Sequence, residues 1–274
     1  MSNWFSGDVV ANGIKIHYTR TGGTRPPMVL LHGFTDNGLC WTRAARVWEK
    51  KYDVVMCDAR GHGFSDAPER GYSPEDHAAD VAGLIRALAL ENPRPILIGH
   101  SMGASTAATT AANYPELVRA AILEDPPWHV NLSALPVEAR TAMMEGWRAN
   151  IVDLQSKTRD GVIAAGRAQN PTWADAEWGP WADSKRQLNL RVFETSPAQR
   201  TPWQDVVRKI VCPVLLVTAD PDMGAVVAPQ IAEEIASLWH DGQIVRIDGA
   251  GHNVRREQSE KYMAAVAAFL EKVE

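Results

Sequence analysis

Ile96-Leu97-Ile98-Gly99-His100-Ser101-Met102-Gly103-Ala104-Ser105 joins a short apolar run to an Ala- and Thr-rich stretch that continues to Ala112. The run has the length of a buried strand, and the stretch after it is small and helix-compatible. The spacing therefore predicts strand, sharp turn and helix in that order. Gly99, Ser101 and Gly103 fill the pattern G-x-S-x-G. Such a turn strains the serine backbone and tolerates only minimal side chains two positions away. It also thrusts the hydroxyl out at a helix N-terminus, where negative charge is favoured. Ser101 is the candidate nucleophile; the plainer alternative is a tight turn with an incidental serine.

Similar bursts recur on both sides: Met28–Leu31, Val54–Cys57, Ala121–Leu123, Val214–Val217 and Ile244–Ile247. Continuous apolar runs of this length read as parallel strands buried on both faces. Between them lie helical patterns. Ser73-Pro74-Glu75-Asp76 reads as an N-cap, a first-position proline and an acidic first turn. Val81, Leu84, Ile85 and Leu88 follow at helical spacing, as do Tyr262, Val266, Phe269 and Leu270 near the end. Before the alternation starts, Asn12-Gly13 between two apolar runs predicts a hairpin. The expected class is α/β with a doubly wound character.

From about Pro126 to Trp203 no strand pattern appears, and six of the ten tryptophans fall there: Trp128, Trp147, Trp173, Trp178, Trp181 and Trp203. A stretch this long without structure is rare in a compact domain, so an inserted helical cap is expected. The division is a core of residues 1–127 and 204–274 with a cap of residues 128–203. Trp128, Trp147, Trp173, Trp178 and Trp181 are candidates to line a substrate pocket. The bland alternative is that they pack the cap.

The 274 residues carry 28 Lys plus Arg against 33 Asp plus Glu, a net charge of −5, with 45% hydrophobic and 22% charged residues. These proportions exclude a disordered chain, a collagen-like chain and a membrane bundle. The acidic balance and the lack of a basic block speak against a nucleic-acid partner. No basic-then-apolar leader and no long apolar run is present, so no membrane partner and a cytoplasmic location are expected. Cys40, Cys57 and Cys212 are too few and too scattered for a disulfide framework or a zinc site. Phosphate-loop, H-E-x-x-H, C-x-x-C and dinucleotide-binding patterns are missing, so neither a cofactor nor a catalytic metal is expected.

A serine nucleophile needs a base, an acid to orient it, and donors for the developing oxyanion. Of eight histidines, His252 in Asp248-Gly249-Ala250-Gly251-His252-Asn253 follows the last strand on a glycine-rich loop and is the expected base. His32 and His100 flank the site without a proton-transfer role. His17, His62, His77, His129 and His240 read as surface or packing residues, with His129 also a pocket candidate. Asp222, just past the strand at Val214–Val217, is the expected acid. Asp125, at the end of the strand after the serine helix, is the alternative, and Glu124 and Asp220 complete the set. The backbone N–H of Met102 is one expected oxyanion donor. The N–H of Phe34, in His32-Gly33-Phe34-Thr35, is the other.

Taken together, His32-Gly33-Phe34, Asp58-Ala59-Arg60-Gly61-His62-Gly63-Phe64-Ser65-Asp66, Gly99–Gly103 and Gly251-His252 resemble the α/β-hydrolase fold superfamily. The resemblance covers nearly the whole chain outside the cap. It implies a mostly parallel eight-stranded sheet flanked by helices, a helical cap after the sixth strand, and the chain order serine, acid, histidine. It also implies a structural role for the loop from Asp58 to Asp66. Within the superfamily the chain looks most like small serine esterases, lactonases, perhydrolases and carbon–carbon bond hydrolases. Serine at position 101 departs from the aspartate nucleophile of haloalkane dehalogenases and epoxide hydrolases. Two aspartates stand at 220 and 222, where many relatives have one acid.

The activity so implied is cleavage of a small or medium carboxylic ester or lactone, with an apolar or aromatic group, through an acyl-enzyme. Amide hydrolysis, carbon–carbon bond cleavage and acyl transfer share the same triad. A ligand receptor with little turnover is the rival of another class.

Overall fold

A computed structural model of the chain describes residues 4–128, 136–194 and 201–273. Asn12 (φ 50°) and Gly13 (φ 79°) take the two left-handed positions of a two-residue hairpin turn. β1 (Phe5–Ala11) and β2 (Ile14–Arg20) therefore pair antiparallel, with Ala11 opposite Ile14. The remaining strands are β3 (Pro27–Leu31), β4 (Asp53–Cys57), β5 (Ile96–His100), β6 (Ala120–Glu124), β7 (Val214–Thr218) and β8 (Gly242–Arg246). They form one eight-stranded sheet in the order β1-β2-β4-β3-β5-β6-β7-β8. β2 joins β4 antiparallel, and from β4 to β8 every pairing is parallel.

Every residue of β3 to β7 is buried, because helices cover both faces. The two-residue period sorts the side chains. Val29, Leu31, Val55, Leu97, Ala121, Leu123 and Leu216 face one way and Met28, Leu30, Met56, Ile98, Ile122 and Leu215 the other. α1 (Thr42–Trp48) supplies Ala45 and Trp48 to the second face. α2 (Pro74–Ala87) begins with Ser73 and Asp76 in a reciprocal capping box and buries Leu84 and Ile85 on the first face. α3 (Met102–Asn113) lies on that face through Ala104, Ala107, Ala108 and Ala111, whose size lets it approach the sheet closely.

Between β6 and β7 the described residues form helices and no strand. These are α4 (Val137–Ser156), α5 (Arg159–Gln169), α6 (Asp175–Gln187) and α7 (Trp203–Lys209). α8 (Pro229–Leu238), α9 (Val254–Glu257) and α10 (Ser259–Val273) complete the chain, and α10 buries Tyr262, Val266, Phe269 and Leu270 against the second face. Among the described residues no helix is long and apolar enough to cross a membrane. Cys40 and Cys57 are buried free thiols, and Cys212 is a partly buried one.

Four of the five tryptophans expected to line a pocket are buried in hydrophobic clusters. Trp173, Trp178 and Trp181 are buried in a core of their own with Ile151, Leu154 and Val162. Trp173 stacks on Trp178 at 5.2 Å, and Trp181 stands edge-on to both. Trp128 belongs to the first-face core and stacks on Trp203 at 5.8 Å. Inserted helices need a hydrophobic centre before they can cover anything, and large rings are the densest way to build one in few residues. Only Trp147 remains substantially exposed, at 48%.

The ring cluster closes over Gly166 of α5, where an added Cβ would meet Trp181 at 2.6 Å and Trp178 at 2.7 Å. Gly166→Ala should therefore overpack this small core and destabilise the protein by about 1–3 kcal/mol. Urea titration monitored by tryptophan fluorescence would check this; an unchanged midpoint would show that the rings yield freely.

Candidate active site

The end of β5 and the start of α3 are joined by one residue, Ser101, at φ 52° and ψ −115°. That conformation costs a non-glycine residue about 1–3 kcal/mol and must be held from outside. Its N–H donates to the Glu124 carbonyl at 2.9 Å, continuing the β5–β6 ladder. A Cβ on Gly99 would overlap the Gly103 carbonyl, and one on Gly103 would overlap the Leu31 carbonyl. Both glycines are thus demanded by backbone approach. Ser101 is only half-buried, and its hydroxyl has no hydrogen-bond partner among the described residues.

Asp125 follows β6 directly, is wholly buried, and accepts from His252 Nδ1 at 2.6 Å. The expectation that Asp222 orients His252 is corrected here. Asp222 sits in an exposed single turn at Pro221–Met223. The segment that follows Asp222 does serve the acid, but through its backbone: Val226 N–H donates to Asp125 Oδ2 at 2.8 Å and Val227 N–H to Oδ1 at 2.9 Å. Asp220 braces the histidine loop instead, accepting from Gly249 N–H at 2.7 Å and pairing with Arg246. Those bonds, Gly249 first, hold its pKa below the usual carboxylate range.

His252 is held at several points. Its carbonyl accepts from His100 Nε2 at 2.9 Å, and the two rings lie 4.8 Å apart. Burial, together with the nearby Arg255, pushes the His100 pKa well down, so a neutral ring makes that contact. Glu257 accepts from Gly251 N–H at 2.6 Å and from Asn253 N–H at 3.2 Å, on either side of the histidine. With Nδ1 committed to Asp125, Nε2 is the free nitrogen and faces no partner among the described residues.

The loop after β3 lies against the serine: a Cβ on Gly33 would meet Ser101 Cβ at 3.5 Å and His100 Nδ1 at 2.6 Å. Asp36 N–H closes a turn onto the Gly33 carbonyl at 3.0 Å, which leaves the Phe34 N–H unused by the turn. Met102 is the first residue of α3, so its N–H is one of those a helix leaves unpaired. His32 donates from Nδ1 to the Gly33 carbonyl and accepts from Ala59 N–H, tying this loop to the segment from Asp58 to Asp66. Asp58 in turn accepts from Gly38 and Phe64 N–H.

Above the loop the Phe34 ring meets Trp147 of α4 at 5.9 Å and Phe193 at 5.2 Å. These rings cluster on the residue after Gly33, which itself lies against Ser101. His62 is buried with its ring edge-on to Phe34, His77 is buried in α2, His17 is half-buried edge-on to Phe64, and His240 is exposed. His129 lies outside the described residues.

Beneath the site is a buried network of three cations and three carboxylates that sequence reading missed. Asp36 binds Lys185 of α6 at 2.9 Å and Arg256 of α9 at 2.9 Å, with Arg255 at 3.7 Å. Arg255 also binds Glu124 at 3.2 Å, and Arg256 binds Glu177 of α6 at 3.3 Å. Burial alone would raise the Asp36 pKa, but Arg256, Lys185 and Arg255 overcome it and hold the carboxyl well below its usual range. At Glu124 burial prevails over Arg255, and the pKa rises. Charged residues next to a catalytic-looking histidine read as solvated surface in a sequence, and Arg255-Arg256 gave no other signal.

The model of the alpha/beta hydrolase family matches residues 28–266. The chain is 29% identical over 259 residues to the 2-(acetamidomethylene)succinate hydrolase of Mesorhizobium japonicum, covering 92% of this chain and 90% of that protein. It is 30% identical over 273 residues to the N-formylmaleamate deformylase of Pseudomonas putida, covering 97% and 96%. A crystal structure of E-2-(acetamidomethylene)succinate hydrolase superposes with a TM-score of 0.76 at 26% identity, covering 98% of this chain and all of that one.

The contacts around His252 separate the two aspartates experimentally. Asp125→Asn should lower turnover of a hydrolysable aryl ester by roughly 10⁴-fold, because the imidazole loses its orienting charge. Asp222→Asn should stay within a few-fold of wild type. Steady-state rates of the two variants decide between them, and the reverse pattern would return the role to Asp222.

Proposed function

Since the chain belongs to the alpha/beta hydrolase family and is a hydrolase, we propose that it is a serine hydrolase of small or medium carboxylic esters or lactones. The observation that carries this reading is the strained Ser101 corner together with His252, whose carbonyl is bonded to the residue before that serine and whose Nδ1 is committed to a buried carboxylate. Ser101 Oγ attacks the carbonyl carbon while His252 Nε2 takes its proton. Asp125 balances the imidazolium so formed. The tetrahedral oxyanion accepts hydrogen bonds from the Phe34 and Met102 N–H groups. Its collapse expels the alkoxide, which takes the proton from His252 and leaves an acyl-serine. Water, deprotonated by the same nitrogen, then releases the acid and restores the serine.

We read α4 to α6 as a cap over this site, with Trp147, Phe34 and Phe193 receiving the apolar or aromatic part of the substrate. The three cations of the buried network, Lys185, Arg255 and Arg256, are all committed to carboxylates. That supports an uncharged substrate over a diacid of the kind named for the first relative. A second reading, cleavage of an acyl–nitrogen bond, is favoured by two near-full-length relatives, one named for an acetamidomethylene compound and the other a deformylase. The same triad serves both, with the amine in place of the alkoxide.

A panel of aryl esters, lactones and N-formyl or N-acetyl amides, run on wild type and Ser101→Ala, tests both readings. Esters or lactones should be turned over fastest, and Ser101→Ala should abolish it. Preference for the amides would favour the second reading, and undiminished turnover by Ser101→Ala would defeat both. On the same panel Trp147→Ala should lower kcat/KM for aryl esters by roughly 3- to 10-fold relative to small alkyl esters, the loss of one aromatic contact.

A further inference from the structure

Lys185 is the most fully engaged cation beneath the site. Its side chain is 4% exposed and its ammonium has three acceptors: the Thr35 carbonyl at 2.8 Å, Thr35 Oγ1 at 2.9 Å and Asp36 Oδ1 at 2.9 Å. An ammonium has three hydrogens, so all are spent on two consecutive residues. Those residues end the Gly33–Asp36 turn that carries Phe34.

The turn needs help. Thr35 stands at its third position with φ 69°, a left-handed site that glycine or asparagine ordinarily fills. A β-branched side chain there is an outlier that the turn alone does not stabilise. Nor is Lys185 needed merely to neutralise Asp36, which already has Arg256 at 2.9 Å and Arg255 at 3.7 Å. Two of its three bonds go to uncharged atoms of the strained residue itself. Next to the turn, Asn37 Nδ2 donates to Gln187, also on α6, at 2.8 Å. On the other side the turn abuts Ser101, so any relaxation of its backbone is felt at the nucleophile.

We propose that Lys185 is a positioning residue: it clamps the left-handed Thr35 so that the Phe34 N–H stays aimed at the Ser101 corner while α6 is seated on the core. Oxyanion stabilisation is thereby coupled to the docking of the inserted helices, through a contact spanning 150 residues of sequence. This rests on the proposed roles of Ser101 and the Phe34 N–H.

The test is the rate at which an alkyl fluorophosphonate labels Ser101, since the phosphonyl oxygen occupies the oxyanion position and no natural substrate is required. Wild type, Lys185→Met and the double variant Lys185→Met/Thr35→Gly are compared, with thermal melting recorded for each. Lys185→Met should slow labelling by roughly 10- to 100-fold, the scale of a small misplacement of a catalytic group. Adding Thr35→Gly should restore most of the rate, because glycine holds the left-handed conformation without a clamp. Wild-type labelling by Lys185→Met, or a loss that Thr35→Gly does not repair, overturns the proposal and leaves the serine hydrolase reading standing. A wild-type protein that is not labelled at Ser101 removes that reading and the clamp with it. If Lys185→Met does not fold, Lys185→Gln is read by the same criteria.

Discussion

Asp36 is the point on which the arrangement turns. One carboxylate gathers an ammonium from α6 and two guanidinium groups from α9, while its own residue closes the strained turn after β3. Removing such charges from water is costly, and the cost is offset by setting each carboxylate against opposite charge. Through Glu124 the network reaches the strand end that precedes Asp125, and through Glu177 it reaches the inserted helices. The loops bearing Phe34, Asp125 and His252 are thus fixed by the same six charges.

Strain is concentrated at the same level of the sheet. Thr35, Ser101 and Asp125 are all non-glycine residues at positive φ, and each follows the end of a parallel strand or lies in the loop after it. Each is held by bonds to its surroundings: Thr35 by Lys185, Ser101 by the Glu124 carbonyl, Asp125 by two amides and an imidazole. The core below, packed on both faces by α1 to α3 and α10, supplies the stability that keeps these residues in place.

Much of this was legible in the sequence where the signal is local. The Asn12-Gly13 hairpin, the apolar strands, the Ser73 cap and the corner at Ser101 each depend on a few neighbouring residues, and each stands where expected. The carboxylate that binds His252 was not legible, because Asp125 and Asp222 both follow buried strands and only the depth of the loop decides which one faces Nδ1. The packing of the tryptophans was not legible for a related reason: composition marks a ring as valuable but not which way it faces. The charged network left no trace, since Lys185, Arg255 and Arg256 read alone as ordinary surface residues.

The way Asp125 is supported has a bearing on how this chain can drift. Its two fixed donors are main-chain groups of Val226 and Val227, which every amino acid except proline provides. The exposed residues Pro221 to Met223 are therefore free to exchange side chains, acidic ones included, provided the length and path of the segment are kept and Gly224 holds its φ of 97°. Aspartates at its exposed end are decoration that variation can add or erase, whereas a single inserted residue would pull both amides off the carboxylate.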